Sequence, residues 1–256
     1  MMKLFLSKIR VILFLFAAAQ IFACTNTPWH QEQAEMFLKK GMSFIGIQQY
    51  NSALKELLEA EKHYPGDHRV QYYMGMAYYG KGMRNEAMEK FKEAVSLKDD
   101  YSEAHNYLGA IYSEMELWDQ AIAEFDKALA NPIYDTPAMA LYNAGWAYYS
   151  KKDYKTSLMK YQEALRKEPY TILRPQIEKC IGLVYFDQSN IPEAILHFKQ
   201  AVEFNSTLHD AHFLLGESYL KIKDTEKARK SFQTVIKLAP QSSYGQKAQR
   251  YLQSLK

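Results

Sequence analysis

A frame that recurs six times constrains this chain more than any other feature. In its clearest copy a glycine, Gly75, is followed by Tyr78, Ala87, Phe91 and Ala94. The same order and spacing return as Gly41, Phe44, Ala53, Leu57 and Ala60, as Gly109, Tyr112, Ala121, Phe125 and Ala128, and as Gly145, Tyr148, Ser157, Tyr161 and Ala164. Gly182, Tyr185, Ala194, Phe198 and Ala201 make a fifth copy, and Gly216, Tyr219, Ala228, Phe232 and Val235 a sixth. Successive glycines stand 34, 34, 36, 37 and 34 residues apart. A period of this length holds two helices that cannot bury their apolar faces alone, so neighbouring copies must stack. Glycine and the first small residue let the two helices of one copy approach, the second alanine seats the next copy, and the large apolar residues fill the wedges between. Pro65, Pro169 and Pro240 close the frame where a second helix has to stop.

In its 34-residue form the frame resembles the tetratricopeptide repeat. The resemblance implies an all-α fold, a right-handed superhelical solenoid of six helix hairpins with a C-terminal capping helix. Counted from seven residues before each glycine, the repeats are 34–67, 68–101, 102–135, 138–171, 175–208 and 209–242. Thr136-Pro137 and Ile172-Leu173-Arg174 remain as insertions at the joints around the fourth repeat. Residues 243–256 read as the capping helix, with Ala248, Tyr251, Leu252 and Leu255 on its apolar face.

The amino-terminal segment has another character. Lys3, Lys8 and Arg10 precede an apolar run from Val11 to Ala23 that only Gln20 interrupts, the layout of a secretory signal over residues 1–23. Thirteen helical residues span about 20 Å against a hydrocarbon core of about 30 Å, which disfavours a permanent membrane span; an uncleaved anchor is the other reading. Ile21-Phe22-Ala23-Cys24 resembles a bacterial lipobox, with Phe22 where a smaller residue is usual, which implies that Cys24 is acylated and begins the mature chain. Residues 24–33 then read as a short tether. Thr25 stands where an aspartate would resemble an inner-membrane retention signal, and so points to the outer membrane. Without Lys3, Lys8 and Arg10 the 32 basic residues fall level with the 29 acidic ones, and no electrostatic attraction to nucleic acid is expected.

At 100° per residue, frame positions 2, 5, 9 and 12 of each first helix share the face opposite the repeat signature, the side that lines the groove of a tetratricopeptide superhelix. Here that face carries Leu38, Met42 and Ile45, then Tyr72, Met76 and Tyr79, then Asn106, Ala110 and Ser113. It continues with Tyr142, Trp146 and Tyr149, then Lys179, Leu183 and Phe186, then Phe213, Glu217 and Leu220. Such a row of Tyr, Trp and Met is suited to gripping a helix or an extended apolar segment of another protein, because these side chains bury large areas at low entropic cost. The alternative is that the aromatics pack against neighbouring repeats. The lysine and asparagine set with which chaperone-binding members of this repeat class clamp a terminal carboxylate is missing, since Leu38 and Met42 stand where it would begin and Lys179 is alone.

Residues for catalysis are not gathered anywhere in the sequence. It has no Gly-rich phosphate loop, no paired CxxC, no HExxH and no GxSxG, so neither an enzyme nor a cofactor is expected. His209 and His212 lie three apart but lack a third ligand, His212 and His105 fall at an internal packing position, and no metal is expected. Cys180 is the one thiol besides Cys24 and reads as a small, partly buried apolar residue. A lipidated cysteine, a tether and six repeats resemble the type IV pilus biogenesis lipoproteins, the pilotins of the pilus secretin. That resemblance implies a non-enzymatic outer-membrane role, in which the lipid carries the protein and the repeats bind secretin subunits and promote their assembly. Other envelope adaptors, in outer-membrane protein assembly, cell-wall synthesis or polysaccharide export, share the same architecture.

Overall fold

A computed structural model describes residues 28–255; Cys24 and the apolar segment before it lie outside the described residues. The described residues form thirteen helices and no strand: α1 (Pro28–Gly46), α2 (Tyr50–His63), α3 (His68–Gly80), α4 (Arg84–Leu97), α5 (Ser102–Glu114), α6 (Trp118–Ala130) and α7 (Pro137–Ser150), followed by α8 (Tyr154–Lys167), α9 (Arg174–Asp187), α10 (Ile191–Phe204), α11 (His209–Lys221), α12 (Thr225–Leu238) and α13 (Ser243–Ser254). None of them is long and apolar enough to cross a membrane. Taken in pairs, α1 to α12 are the six expected hairpins, and α13 is the expected cap. One difference lies at the start, where residues 28–33 belong to α1 and not to a tether. Proline is well placed in a first helical turn, where its missing N–H is not needed.

Two compact bodies make up the chain, divided after Ala104. In the first, α1 packs on α2, α2 on α3, α3 on α4, and the first helices α1 and α3 touch. In the second, hairpins α7/α8, α9/α10 and α11/α12 stack in order, and α13 covers α11 and α12.

Within each hairpin the glycine of the frame is keyed to a ring sixteen residues on. A Cβ built on Gly109 would lie 2.5 Å from the Phe125 ring, on Gly145 2.6 Å from Tyr161, and on Gly182 2.6 Å from Phe198. Gly75 meets Phe91 and Gly216 meets Phe232 in the same way, and Leu57 takes the place of the ring opposite Gly41. All these apolar partners are fully buried, each stabilising by about 1.5–3 kcal/mol. Tyr161 alone among the rings carries a hydroxyl, buried without a conventional hydrogen-bond partner and set near the Cys180 thiol, Ser157 and Tyr142. Tyr161→Phe, which copies the other repeats, is expected to raise stability by about 1 kcal/mol in a urea titration, because an unsatisfied buried polar atom is removed and the shape kept; a loss of 1 kcal/mol or more would mean that the hydroxyl holds a bond.

The turn inside each hairpin is equally regular. Seven residues after each glycine the backbone takes positive φ, at Gln48, Gly82, Glu116, Lys152, Ser189 and Lys223. The left-handed residue stops the first helix and reverses the chain for the second. Asp153 and Asp224 then cap their helices by accepting from the backbone N–H of Thr156 and Lys227.

Polar pairs nineteen residues apart join the two helices of three repeats. Lys90 Nζ donates to Gln71 Oε1 at 2.9 Å, His105 Nδ1 to Glu124 Oε2 at 2.6 Å, and His197 Nδ1 to Glu178 Oε2 at 2.9 Å. Gln71, His105 and Glu178 are buried, so these bonds are made where water does not compete. Burial acts to raise the Glu124 carboxyl, but the bonds from His105 and Lys127 outweigh it and hold the group below its ordinary value.

Candidate functional site

First helices of consecutive repeats lie side by side in the second body, where α7 touches α9 and α11 touches α13. Between them opens a cleft of about 380 Å³, within the size range of ligand clefts. Trp146 and Tyr142 of α7 form one wall, Leu183 of α9 and Leu214 of α11 line its middle, and Tyr244 of α13 closes the far side. Trp146 is 39% exposed, a large indole left open to water. Its ring rests on Tyr149 at 5.2 Å, and Tyr149 is itself fixed because its hydroxyl donates to Asp187 Oδ2 at 2.7 Å. Burial and that bond push the Tyr149 phenol well above its ordinary value, so it stays neutral.

Two charges line the cleft and they cancel. Lys179 Nζ donates to Asp210 Oδ2 at 2.6 Å, which leaves no unpaired cation to take a carboxylate. Asn143 is held by its own donor bond to Asn106 Oδ1 at 3.0 Å. Cys180 lies at the cleft floor, more deeply buried than the sequence implied; burial pushes its thiol up, which suppresses the nucleophilic thiolate. The arrangement is an apolar, electrically balanced slot with an aromatic rim. It can bury side chains of another molecule, while its acid and base, Asp210 and Lys179, are bonded to each other and its thiol is buried.

The expected groove residues divide by position. Frame position 5 is sealed in four repeats: Leu38 is 1% exposed, Tyr72 8%, Asn106 9% and Phe213 3%. These are corrections to the expectation that they face a groove. A long helical side chain leans back towards the start of its helix, and there the joint between repeats covers it. Tyr72 meets Tyr101 at 5.0 Å and Phe91 at 5.8 Å, Phe213 meets Tyr244 at 5.1 Å, and Leu38 joins Val70 and Met74 in the core. Tyr142 is half-buried, its ring 6.1 Å from Tyr161. Positions 9 and 12 stay open. Met42 and Trp146 are exposed, and Met76, Tyr79, Tyr149, Leu183 and Phe186 are half-buried. In the first body the Arg84 guanidinium covers the Tyr79 ring at 4.1 Å, and in the second the Lys221 ammonium lies 5.8 Å from the Phe186 ring.

Asn143, Asp210, Leu214 and Tyr244 complete the cleft without having been read as groove residues. Asp210 stands at position 2, on the same helical face, so the signal was in the periodicity. Asn143 and Leu214 at position 6 and Tyr244 on the cap could be placed only by packing. His209 and His212 diverge, the first edge-on to Tyr244 at 5.9 Å, the second donating from Nε2 to the Ser206 carbonyl at 3.0 Å. No group of three or more metal-ligating side chains forms among the described residues.

A family model described as tetratricopeptide repeat matches residues 38–102 and 108–170, a second of the same description residues 210–242, and a TPR repeat model residues 182–223. Among solved structures, PilF of Pseudomonas aeruginosa is similar with a TM-score of 0.76 at 14% identity, over 86% of this chain and 98% of that one. PilW, described as a widely conserved type IV pilus biogenesis factor, is similar with a TM-score of 0.77 at 21% identity, over 84% of this chain and 98% of that one. YrrB, a repeat protein described as having an unusual peptide-binding site, is similar with a TM-score of 0.58 at 18% identity, over 76% and 97%.

Proposed function

The chain belongs to the tetratricopeptide-repeat family, and from that premise we propose that it is a non-enzymatic, lipid-anchored outer-membrane scaffold of type IV pilus assembly. Its lipid is carried by Cys24, it faces the periplasm, and the cleft of its last repeats holds a segment of a secretin subunit while that subunit is localised and assembled. The observation that carries this reading is the cleft itself: an apolar slot with an open indole and its only lysine already neutralised by Asp210. Such a surface gains free energy by covering apolar side chains of a partner and offers little to a charged small molecule. Similarity in fold to PilF and PilW over nearly their whole lengths supports the choice of pilus assembly among envelope machines. Cys24 at the end of an apolar run supports the anchor.

A general envelope adaptor, serving outer-membrane protein assembly or polysaccharide export, is the second reading, since the same slot suits it. Deleting the gene separates the two: loss of secretin multimers with an intact outer-membrane barrier supports the pilus role, and a general barrier defect with normal multimers overturns it. Cys24→Ala is expected to abolish fatty-acid labelling and to release the protein from membranes; labelling that persists in this variant overturns the anchor.

A further inference from the structure

We propose that His30 and His63 form a two-histidine site for a transition-metal ion with affinity for imidazole, of the class of Cu²⁺, Ni²⁺ and Zn²⁺. The residues come from the start of α1 and the end of α2 in the first body, and their Nδ1 atoms face each other at 3.4 Å. A metal–imidazole bond is about 2.0–2.1 Å long, so two such bonds meeting at the tetrahedral angle set their nitrogens about 3.3–3.4 Å apart. The spacing already matches a chelate.

Both rings are braced in this position. Phe37 stacks on His63 with centroids 5.5 Å apart and planes 11° from parallel. Trp29 stands edge-on to both, 4.9 Å from His30 and 5.9 Å from His63. This bracing lowers the ordering cost of taking up an ion, as outer contacts do in metal centres generally. Both histidines are half-buried, so one side of the pair is open and water or a donor from a partner can complete the coordination. Nitrogen donors select this class of ion over Mg²⁺ and Ca²⁺, which take oxygen. With two protein ligands the site binds reversibly and does not supply folding energy in the manner of a closed four-ligand zinc centre. Residues 33 apart in sequence are brought together by one hairpin, which is why spacing alone gave no sign of a metal.

The test is a Cu²⁺ titration of the full-length chain, followed by tryptophan emission and by electron paramagnetic resonance. One Cu²⁺ per chain is expected, with quenching of Trp29 and nitrogen hyperfine structure from two imidazoles. His30→Gln and His63→Gln, which keep bulk and lose the imidazole, are each expected to weaken binding about 10²-fold through loss of the chelate. His212→Gln, in the sixth repeat and outside the pair, is expected to bind as the parent does. Circular dichroism melts of the metal-free variants confirm that they are folded. The proposal is overturned if the parent takes up no Cu²⁺, if either glutamine variant at residue 30 or 63 binds as well as the parent, or if Mg²⁺ competes at equal concentration. A plain imidazole–imidazole hydrogen bond gives the first of these results.

Discussion

Phe198→Ala is expected to cost about 3–5 kcal/mol of stability, the range for emptying a fully buried aromatic site. More telling is the effect of a second substitution. Gly182→Ala alone forces a Cβ to within 2.6 Å of the same ring, an overpacking cost of about 1–3 kcal/mol that outweighs the gain of about 1 kcal/mol in helix propensity. In the Phe198→Ala background the ring is gone, the new methyl fits, and the same glycine substitution is expected to stabilise by about 1 kcal/mol. Urea titrations of the four proteins give the coupling directly. An equal cost for Gly182→Ala in both backgrounds would show that glycine and ring are not keyed to each other.

If the cleft holds a secretin segment as proposed, Trp146→Ala is expected to leave the fold intact and to weaken that binding about 30-fold or more, the loss of at least about 2 kcal/mol typical of a central indole. The indole is the open wall of the cleft and bears little of the packing beneath it. Phe213→Ala serves as the contrast, since that ring is wedged among Phe232, Tyr244 and Tyr251 and its loss should lower the melting temperature instead. The readouts are a circular dichroism melt for folding and equilibrium binding for the partner. Unchanged affinity in a folded Trp146→Ala protein removes the cleft from the proposed role.

Much of the fold was legible because the frame records close packing within a hairpin. Gly109 against Phe125 or Gly145 against Tyr161 is a contact between residues of one repeat, so a single period of sequence contains both partners. The cleft was legible only in part, because it depends on what the neighbouring element covers. A helical wheel places Tyr72 and Met76 on one face without knowing that Tyr101 closes over the first of them. It places Trp146 on that face, where the cleft opens, but cannot anticipate Tyr244, which reaches the same slot from the capping helix. The joints and the cap decide which part of that face remains open, and they carry no repeating signal.

The paired histidines and carboxylates inside the third and fifth repeats run in opposite order. In one the first helix supplies His105 and the second Glu124; in the other the first supplies Glu178 and the second His197. A chain of near-identical modules risks joining the wrong partners while it folds. Were α9 to dock on α6, Glu178 and Glu124 would meet with only Arg174 and Lys127 of their own helices to offset them, and were α5 to dock on α10, His105 and His197 would meet without a carboxylate. The reversed order is therefore expected to lower the gain from such mismatched pairings between modules that share the glycine-and-ring frame.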